Sequence, residues 1–169
     1  MRTFEESSID TKITPVYRKI LVPLDGSKLA EQSLKHALAI VKSDKPATVV
    51  LLSVVEPITP GWFSPPGAGR IMNGNLLEEL LEQKETEAKE YLAGLLTRLK
   101  NREINFQTVL TTGKAAEEIV EFAESHGIDI IIMSTRGRSG IGRWVMGSVT
   151  DQVMRSSRVP VLVIPPEPS

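Results

Sequence analysis

The chain contains no cysteine and only two histidines among its 169 residues. Disulfide bonds, thiolate nucleophiles and thiolate metal ligands are therefore excluded. The two histidines, His36 and His126, lie far apart in the sequence, and neither has the neighbours that a metal site or a catalytic triad needs. We accordingly predict no catalytic residue and no metal held by the protein itself.

The chain also lacks an excess of charge of either sign and has no long apolar run. The formal net charge is -1 at pH 7, whereas proteins that bind nucleic acid or membrane surfaces usually carry a basic face. No apolar run approaches the roughly 20 residues that a membrane-spanning helix needs. Residues 1–16 are polar and acidic, unlike a signal peptide, and we interpret them as an N-terminal tail. These features predict a cytoplasmic protein that binds neither nucleic acid nor membrane.

Five segments have the character of β-strands. Four are apolar throughout and rich in valine and isoleucine, as parallel strands are when helices cover both faces of a sheet. The fifth alternates apolar and polar residues, which is typical of a less buried edge strand. The apolar segments are residues 19–24, 48–55, 128–134 and 159–165, and the alternating segment is 104–110.

Amphipathic patterns between these segments predict four helices. Ser27 is the predicted N-cap of the first helix, and Gly127 follows the third, as a glycine often does at a helix C-terminus. Ser148 opens the last helix, where Ser148 and Asp151 resemble a capping box. The predicted helices cover residues 28–41, 76–100 and 114–126 and a short stretch from 148 onward.

Strands and helices alternate along the chain in this prediction. With right-handed crossovers, that order gives an α/β fold, a doubly wound open sheet of five parallel strands with helices on both faces. We predict a single domain over residues 17–169. The proline- and glycine-rich segment 56–75 interrupts the pattern, and we interpret it as a loop insertion.

Ligands of doubly wound sheets bind at the carboxyl ends of the strands, where connections diverge to opposite faces. Asp25, in "PLDGS", and the stretch "MSTRGRSGIGRWVMGSVTDQV", residues 133–153, both fall there. Glycines let backbone N–H groups approach an anion, and the following helix adds the positive end of its dipole. The spacing matches neither a P-loop nor G-x-G-x-x-G, so the residues alone leave open a phosphate cradle or a plain flexible loop. The glycines of the stretch are Gly137, Gly140, Gly142 and Gly147.

Three features together resemble the universal stress protein family. They are "KILVPLDGS" near the start, "IIIMSTRGRSGIGRWVMGSVTDQVMRSSRVPVLVI" near the end, and the order of elements between them, so that the resemblance covers residues 17–165. The ATP-binding branch of that family carries G-x2-G-x9-G-[ST]. The matching positions here are Ser134, Gly137, Gly147 and Ser148, with a serine in place of the first glycine.

This resemblance implies an adenine nucleotide alpha hydrolase-like fold with strand order 3-2-1-4-5. It also implies a bound adenine nucleotide, ATP or else AMP or ADP, with any Mg²⁺ held by the phosphates. Asp25 would bond the ribose or the base, and Pro23 and Val54 would line the adenine slot. The phosphates would meet the residues of the glycine motif. The full predicted binding set is Pro23, Asp25, Val54, Met133, Ser134, Gly137, Gly147, Ser148 and Val149.

The implied strand order makes the fifth strand an edge. Its sequence "VPVLVI" is too apolar for an edge exposed to solvent, which would invite aggregation. In the family this strand pairs with its copy in a second subunit. The resemblance therefore implies a homodimer formed through Val159 to Ile164.

We thus expect a dimeric, ATP-binding stress-response regulator or sensor that acts on a protein partner the sequence does not identify. Two alternatives stay open at this point, a slow ATP hydrolase and a nucleotide-free protein-interaction module. Ser134 in place of glycine is the sequence feature that favours the second. A phosphoacceptor receiver domain shares the topology, but it needs an Asp after strand three and a Lys after strand five. The chain has "TTGK" and "PPEPS" there.

Overall fold

The computed structural model describes five stretches of the chain, residues 17–41, 47–57, 74–99, 104–135 and 147–166. Strands and helices alternate along these stretches. The strands are β1 (Lys19–Pro23), β2 (Thr48–Val55), β3 (Asn105–Thr112), β4 (Ile130–Ser134) and β5 (Val161–Ile164). The helices are α1 (Lys28–Ile40), α2 (Gly74–Leu99), α3 (Ala115–Ser125) and α4 (Ser148–Ser156).

The five strands form one parallel sheet in the order β3-β2-β1-β4-β5, which confirms the predicted fold class and strand order. β1 pairs with β2 on one side and with β4 on the other. The chain therefore leaves β1 and β4 in opposite directions, and a crevice opens at their carboxyl ends. β3, the alternating segment, lies at one edge as predicted, and β5 lies at the other.

Side chains of the central strands point alternately into two helical layers. Ile20 and Val22 pack into the core formed with α1 and α2, whereas Leu21 packs into the core formed with α3 and α4. All three side chains are fully buried. Burial on both faces explains why β1, β2 and β4 read as continuous apolar runs rather than alternating ones. No helix of the described stretches is long and apolar enough to cross a membrane.

Asp129 aligns β1 with β4 at the amino ends of the strands. Its Oδ2 accepts hydrogen bonds from the backbone N–H groups of Arg18 and Lys19, both at 2.8 Å. The ammonium group of Lys19 in turn donates to the carbonyl of His126 at 2.8 Å. These bonds fix the register of β1 on β4, and so they also fix how the carboxyl ends of the two strands meet.

The structure differs from the sequence prediction at the start of α4. Gly147, not Ser148, is the N-cap, so the predicted capping box of Ser148 and Asp151 is wrong. The Gly147 carbonyl accepts the first hydrogen bond of the helix, from Asp151 N at 2.9 Å, so Ser148 is already the first helical residue and cannot act as the N-cap. Asp151 bonds Arg155 instead, at 2.9 Å between Oδ2 and Nε.

Several predicted boundaries shift by one or two residues. β5 is shorter than the predicted segment because Pro160 and Pro166, which face β4 on either side of the strand, have no N–H to extend the ladder. β3 continues to Thr112, and α2 already begins at Gly74. Residues 58–73, most of the predicted loop insertion, lie outside the described residues.

Two glycines give a matched test of backbone conformation. Gly127 follows α3 with φ +62°, and Gly94 lies inside α2; a Cβ at either position would meet nothing within 4 Å. Gly127→Ala should therefore lower the free energy of unfolding by about 1 kcal/mol, the cost of a left-handed alanine. Gly94→Ala should raise it by up to about 1 kcal/mol, because alanine favours the helix. Urea unfolding checks both values, and changes of equal sign would contradict the assignment.

Candidate functional site

A cavity of about 770 Å³ opens at the carboxyl ends of β1, β2 and β4. It lies where the connections after β1 and β4 diverge, and its volume falls in the range of about 300–1,000 Å³ that small-molecule sites occupy. The first turns of α1, α3 and α4 and one side of α2 complete its wall. It is therefore the candidate site of this fold.

Eight of the nine predicted binding residues line this cavity. The ninth, Gly137, lies outside the described residues, together with the rest of segment 136–146. The structure thus brings together side chains and backbone from three strand ends and one helix start. The eight lining residues are Pro23, Asp25, Val54, Met133, Ser134, Gly147, Ser148 and Val149.

One wall of the cavity is apolar. Val54 and Met133 belong to the core on the α3–α4 side of the sheet, and Pro23 ends β1 between them. Ile119 of α3, which the sequence analysis did not single out, also lines this wall and is 3% exposed. Such a surface suits the flat apolar face of a ring system.

Asp25 forms a turn and also lines the cavity. Its Oδ1 accepts hydrogen bonds from Ser27 N at 3.0 Å and from Ser27 Oγ at 2.6 Å. Ser27 Oγ accepts the N–H of Ala30 at 3.1 Å, which confirms Ser27 as the N-cap of α1. Gly26 between them has φ +79°, so the tight turn needs a glycine there. The turn holds the Asp25 carboxylate, which is exposed, at the mouth of the cavity.

Two threonines join the end of β4 to the start of α4. Thr135 Oγ1 accepts the N–H of Gly147 at 3.0 Å, and Thr150 Oγ1 donates to the carbonyl of Ser134 at 3.1 Å. Sequence reasoning missed both residues, although a hydroxyl side chain just inside each end of the glycine stretch was a usable signal. Because Thr135 takes the Gly147 N–H and the Gly147 carbonyl takes the Asp151 N–H, the backbone N–H groups with no acceptor among the described residues are those of Ser148, Val149 and Thr150.

The three helix starts at the cavity are not equivalent. Ser27 caps α1, and Glu56 Oε1 accepts the N–H of Ala115 at 2.9 Å at the start of α3. Among the described residues, no side chain accepts a hydrogen bond from the first turn of α4, whose N-cap is Gly147. Open N–H groups and the positive end of the helix dipole make this terminus the one suited to an anion. The role of Glu56 was also not predicted from the sequence.

Tyr91 of α2 lines the cavity, and its hydroxyl oxygen is shielded from solvent without a hydrogen-bond partner among the described residues. Burial raises the pKa of this phenol. The negative charge of Glu31, whose Oε1 lies 3.0 Å from Arg98 Nη2, raises the pKa further. Tyr91 therefore stays neutral well into the alkaline range.

The raised pKa makes stability depend on Tyr91 at high pH. The unfolded phenol ionises near pH 10, roughly the ordinary tyrosine value, while the folded one keeps its proton, so stability present below that pH is lost above it. Tyr91→Phe should remove this loss, because phenylalanine has no proton to release. Urea unfolding on both sides of that pH, in both proteins, measures the difference. Identical pH dependence would contradict the prediction.

Comparisons with known proteins agree on one family. The sequence profile of the universal stress protein family matches residues 16–165. Universal stress protein MJ0577 of Methanocaldococcus jannaschii is 35% identical over 155 residues, which cover 88% of this chain and 95% of that protein. The solved structure of MJ0577 matches with a TM-score of 0.75 at 33% identity, covering 92% of this chain and 100% of that one.

Two more distant solved structures show similarity of fold alone. A universal stress protein in complex with cAMP matches with a TM-score of 0.54 at 19% identity, covering 89% of this chain and 98% of its own. A family protein from Arabidopsis thaliana with AMP bound matches with a TM-score of 0.55 at 15% identity, covering 87% of this chain and 90% of its own.

Proposed function

The chain belongs to the universal stress protein family, and from this premise we propose that it binds an adenine nucleotide, ATP or else AMP or ADP, in the cavity at the carboxyl ends of β1, β2 and β4. The observation that carries the proposal is the start of α4, where no described side chain accepts a hydrogen bond from the N–H groups that follow the N-cap. We further propose that the bound state is read by a protein partner, as a stress-response regulator or sensor requires.

The lining of the cavity favours one direction for the proposed nucleotide. The base lies against the apolar wall of Pro23, Val54 and Met133, and the ribose lies at Asp25. The phosphates lie at Ser148 and Val149. The opposite direction is disfavoured because the α3 terminus already holds the negative charge of Glu56.

The binding set extends to the remaining motif positions. Ser134 and Gly147 line the phosphate end of the cavity. Gly137, which lies outside the described residues, is kept in the proposed set as the second glycine of the motif. The Gly147 N–H bonds Thr135, so its part is to let the chain pass close to the phosphates rather than to donate to them. The donors are then the N–H groups of Ser148 and Val149 and the Ser148 hydroxyl.

The two neighbours solved with ligands support the class of nucleotide. One holds cAMP and the other AMP, and these molecules share an adenine, a ribose and one phosphate. A cavity on the same fold that has an apolar wall, a carboxylate and an open helix start offers a partner to each of the three. Any Mg²⁺ bound with the nucleotide is proposed to be held by the phosphate oxygens.

Two measurements test nucleotide binding directly. Denaturing the purified protein should release an adenine nucleotide, which chromatography and mass spectrometry identify. Protein stripped of nucleotide should unfold at higher temperature when Mg-ATP is added, because a ligand bound only by the folded state stabilises it. The absence of both effects would overturn the proposed function.

A pair of aspartates tests the place of the ribose. Asp25→Asn keeps an oxygen for the Ser27 bonds but removes the charge, so the Kd for ATP should rise about tenfold, as when a charged hydrogen bond is weakened. Asp129→Asn is the control, because Asp129 also accepts two backbone N–H bonds but lies at the opposite end of the sheet. Isothermal titration calorimetry should find its Kd unchanged. Equal effects in the two variants would remove Asp25 from the site.

We also propose a homodimer through β5, because the two sheet edges differ in character. The side chains of β3 at Asn105, Gln107 and Thr108 are polar and exposed, whereas β5 is apolar and only half-buried. The carbonyls of Pro160 and Ile164 bond to β4, so alternation turns the backbone groups of Val161 and Val163 outward. An apolar strand with outward-facing N–H groups is suited to pairing with a copy of itself.

A lysine introduced at each edge of the sheet in turn tests whether the dimer forms through β5. Sedimentation should find the wild-type protein at twice the mass of one chain. Val163→Lys should shift it to monomer, because a lysine on an edge strand opposes pairing. Gln107→Lys places the same charge on the β3 edge and should leave the dimer intact. A wild-type monomer, or a dimer that survives Val163→Lys, would contradict pairing through β5.

A further inference from the structure

The hydroxyls of Thr135 and Thr150 are buried at the boundary between β4 and α4. Thr135 is 6% exposed and Thr150 is 3% exposed. The Thr135 hydroxyl accepts the Gly147 N–H, and the Thr150 hydroxyl donates to the Ser134 carbonyl. In both bonds the donor lies at the start of α4 and the acceptor lies at the end of β4; the strand side supplies the side chain in the first bond, and the helix supplies it in the second.

The strand end that receives these bonds is itself fixed to the sheet. The backbone N–H of Thr135 donates to the carbonyl of Ile164 in β5 at 3.1 Å. Ser134, one residue earlier, is still paired with Ile164 in the parallel ladder. The start of α4 is thus hydrogen-bonded to the sheet through two adjacent residues, Ser134 and Thr135.

Buried hydroxyls at these positions serve a polar purpose rather than a packing one. Valine has nearly the shape of threonine and would fill the same space in this part of the core. It would leave the Gly147 N–H or the Ser134 carbonyl without its partner, however, and the end of β4 would no longer hold the start of α4. The bonds therefore set the position of the first turn of α4.

We infer that Thr135 and Thr150 are positioning residues for the phosphates. They hold the N–H groups of Ser148 and Val149 in place before the ligand arrives, so that binding does not have to order the helix start. The inference rests on the proposed nucleotide site and adds two residues to it. Thr135 does not line the cavity and acts through Gly147, whereas Thr150 lines it and acts through Ser134.

The test compares ligands with and without phosphates. Calorimetry gives the Kd of ATP and of adenosine for the wild type, Thr135→Val and Thr135→Ser. Loss of a positioning hydrogen bond should weaken ATP binding by about tenfold in Thr135→Val and change adenosine binding by less than about twofold. Thr135→Ser keeps the hydroxyl and should restore ATP binding. A role confined to stability would weaken both ligands alike.

Thr97→Val is the matched control. Thr97 Oγ1 also bonds a backbone carbonyl, that of Ala93 at 3.0 Å, but it lies on the exposed side of α2 away from the cavity. Its ratio of ATP to adenosine affinity should equal that of the wild type. Thr150→Val repeats the test through the Ser134 carbonyl, and it decides the matter if Thr135→Val does not fold.

The outcomes separate the two proposals. If the wild type binds ATP but the valine variants lose ATP and adenosine affinity equally, or lose neither, the positioning role is wrong and the nucleotide site stands. If serine at 135 binds ATP as weakly as valine, the hydroxyl is not the cause and the role is also wrong. If the wild type binds no adenine nucleotide, the proposed function fails first and the inference falls with it.

Discussion

The pairing of β1 with both β2 and β4 is the constraint on which the rest of the structure depends. A parallel strand in the middle of the sheet must be covered on both faces, so the connections after β1 and β4 have to go to opposite sides. The space between them at the carboxyl ends cannot be filled by either connection. Asp129 sets this arrangement from the other end of the strands, because it fixes the register of β1 on β4.

The helices that begin around the cavity give it an uneven distribution of charge. A helix start offers unpaired N–H groups, which a side chain, a ligand or water must satisfy. Ser27 does so locally at α1, and Glu56 does so at α3 from a position 59 residues earlier in the chain. At α4 the end of β4 takes the N–H of the N-cap and leaves the first turn facing the cavity. The arrangement separates an acidic side from an electropositive side within one pocket.

The fold could be predicted from the sequence more completely than the candidate site could. Burial on both faces makes a strand visibly apolar, so the strands could be placed from composition, and the edge position of β3 followed from its alternation. Thr135 and Glu56 act across 12 and 59 residues, and nothing in their own neighbourhood marks those bonds. The capping prediction at Ser148 failed because the N-cap is one residue earlier than the local motif indicated, at Gly147, whose carbonyl accepts the Asp151 N–H. Asp25 and Ser27 were recoverable because their bonds are two and three residues long.

Ser134 stands where the family motif has a glycine, and its backbone conformation shows whether a glycine is needed there. A glycine is required where φ is positive or where a side chain would collide with a neighbour. Ser134 is the last residue of β4, so its backbone is extended, a conformation that any residue adopts. Its carbonyl accepts the hydrogen bond of the Thr150 hydroxyl. The conformation of the chain at this position therefore does not depend on glycine, and the motif can lose its first glycine while the start of α4 stays where β4 holds it.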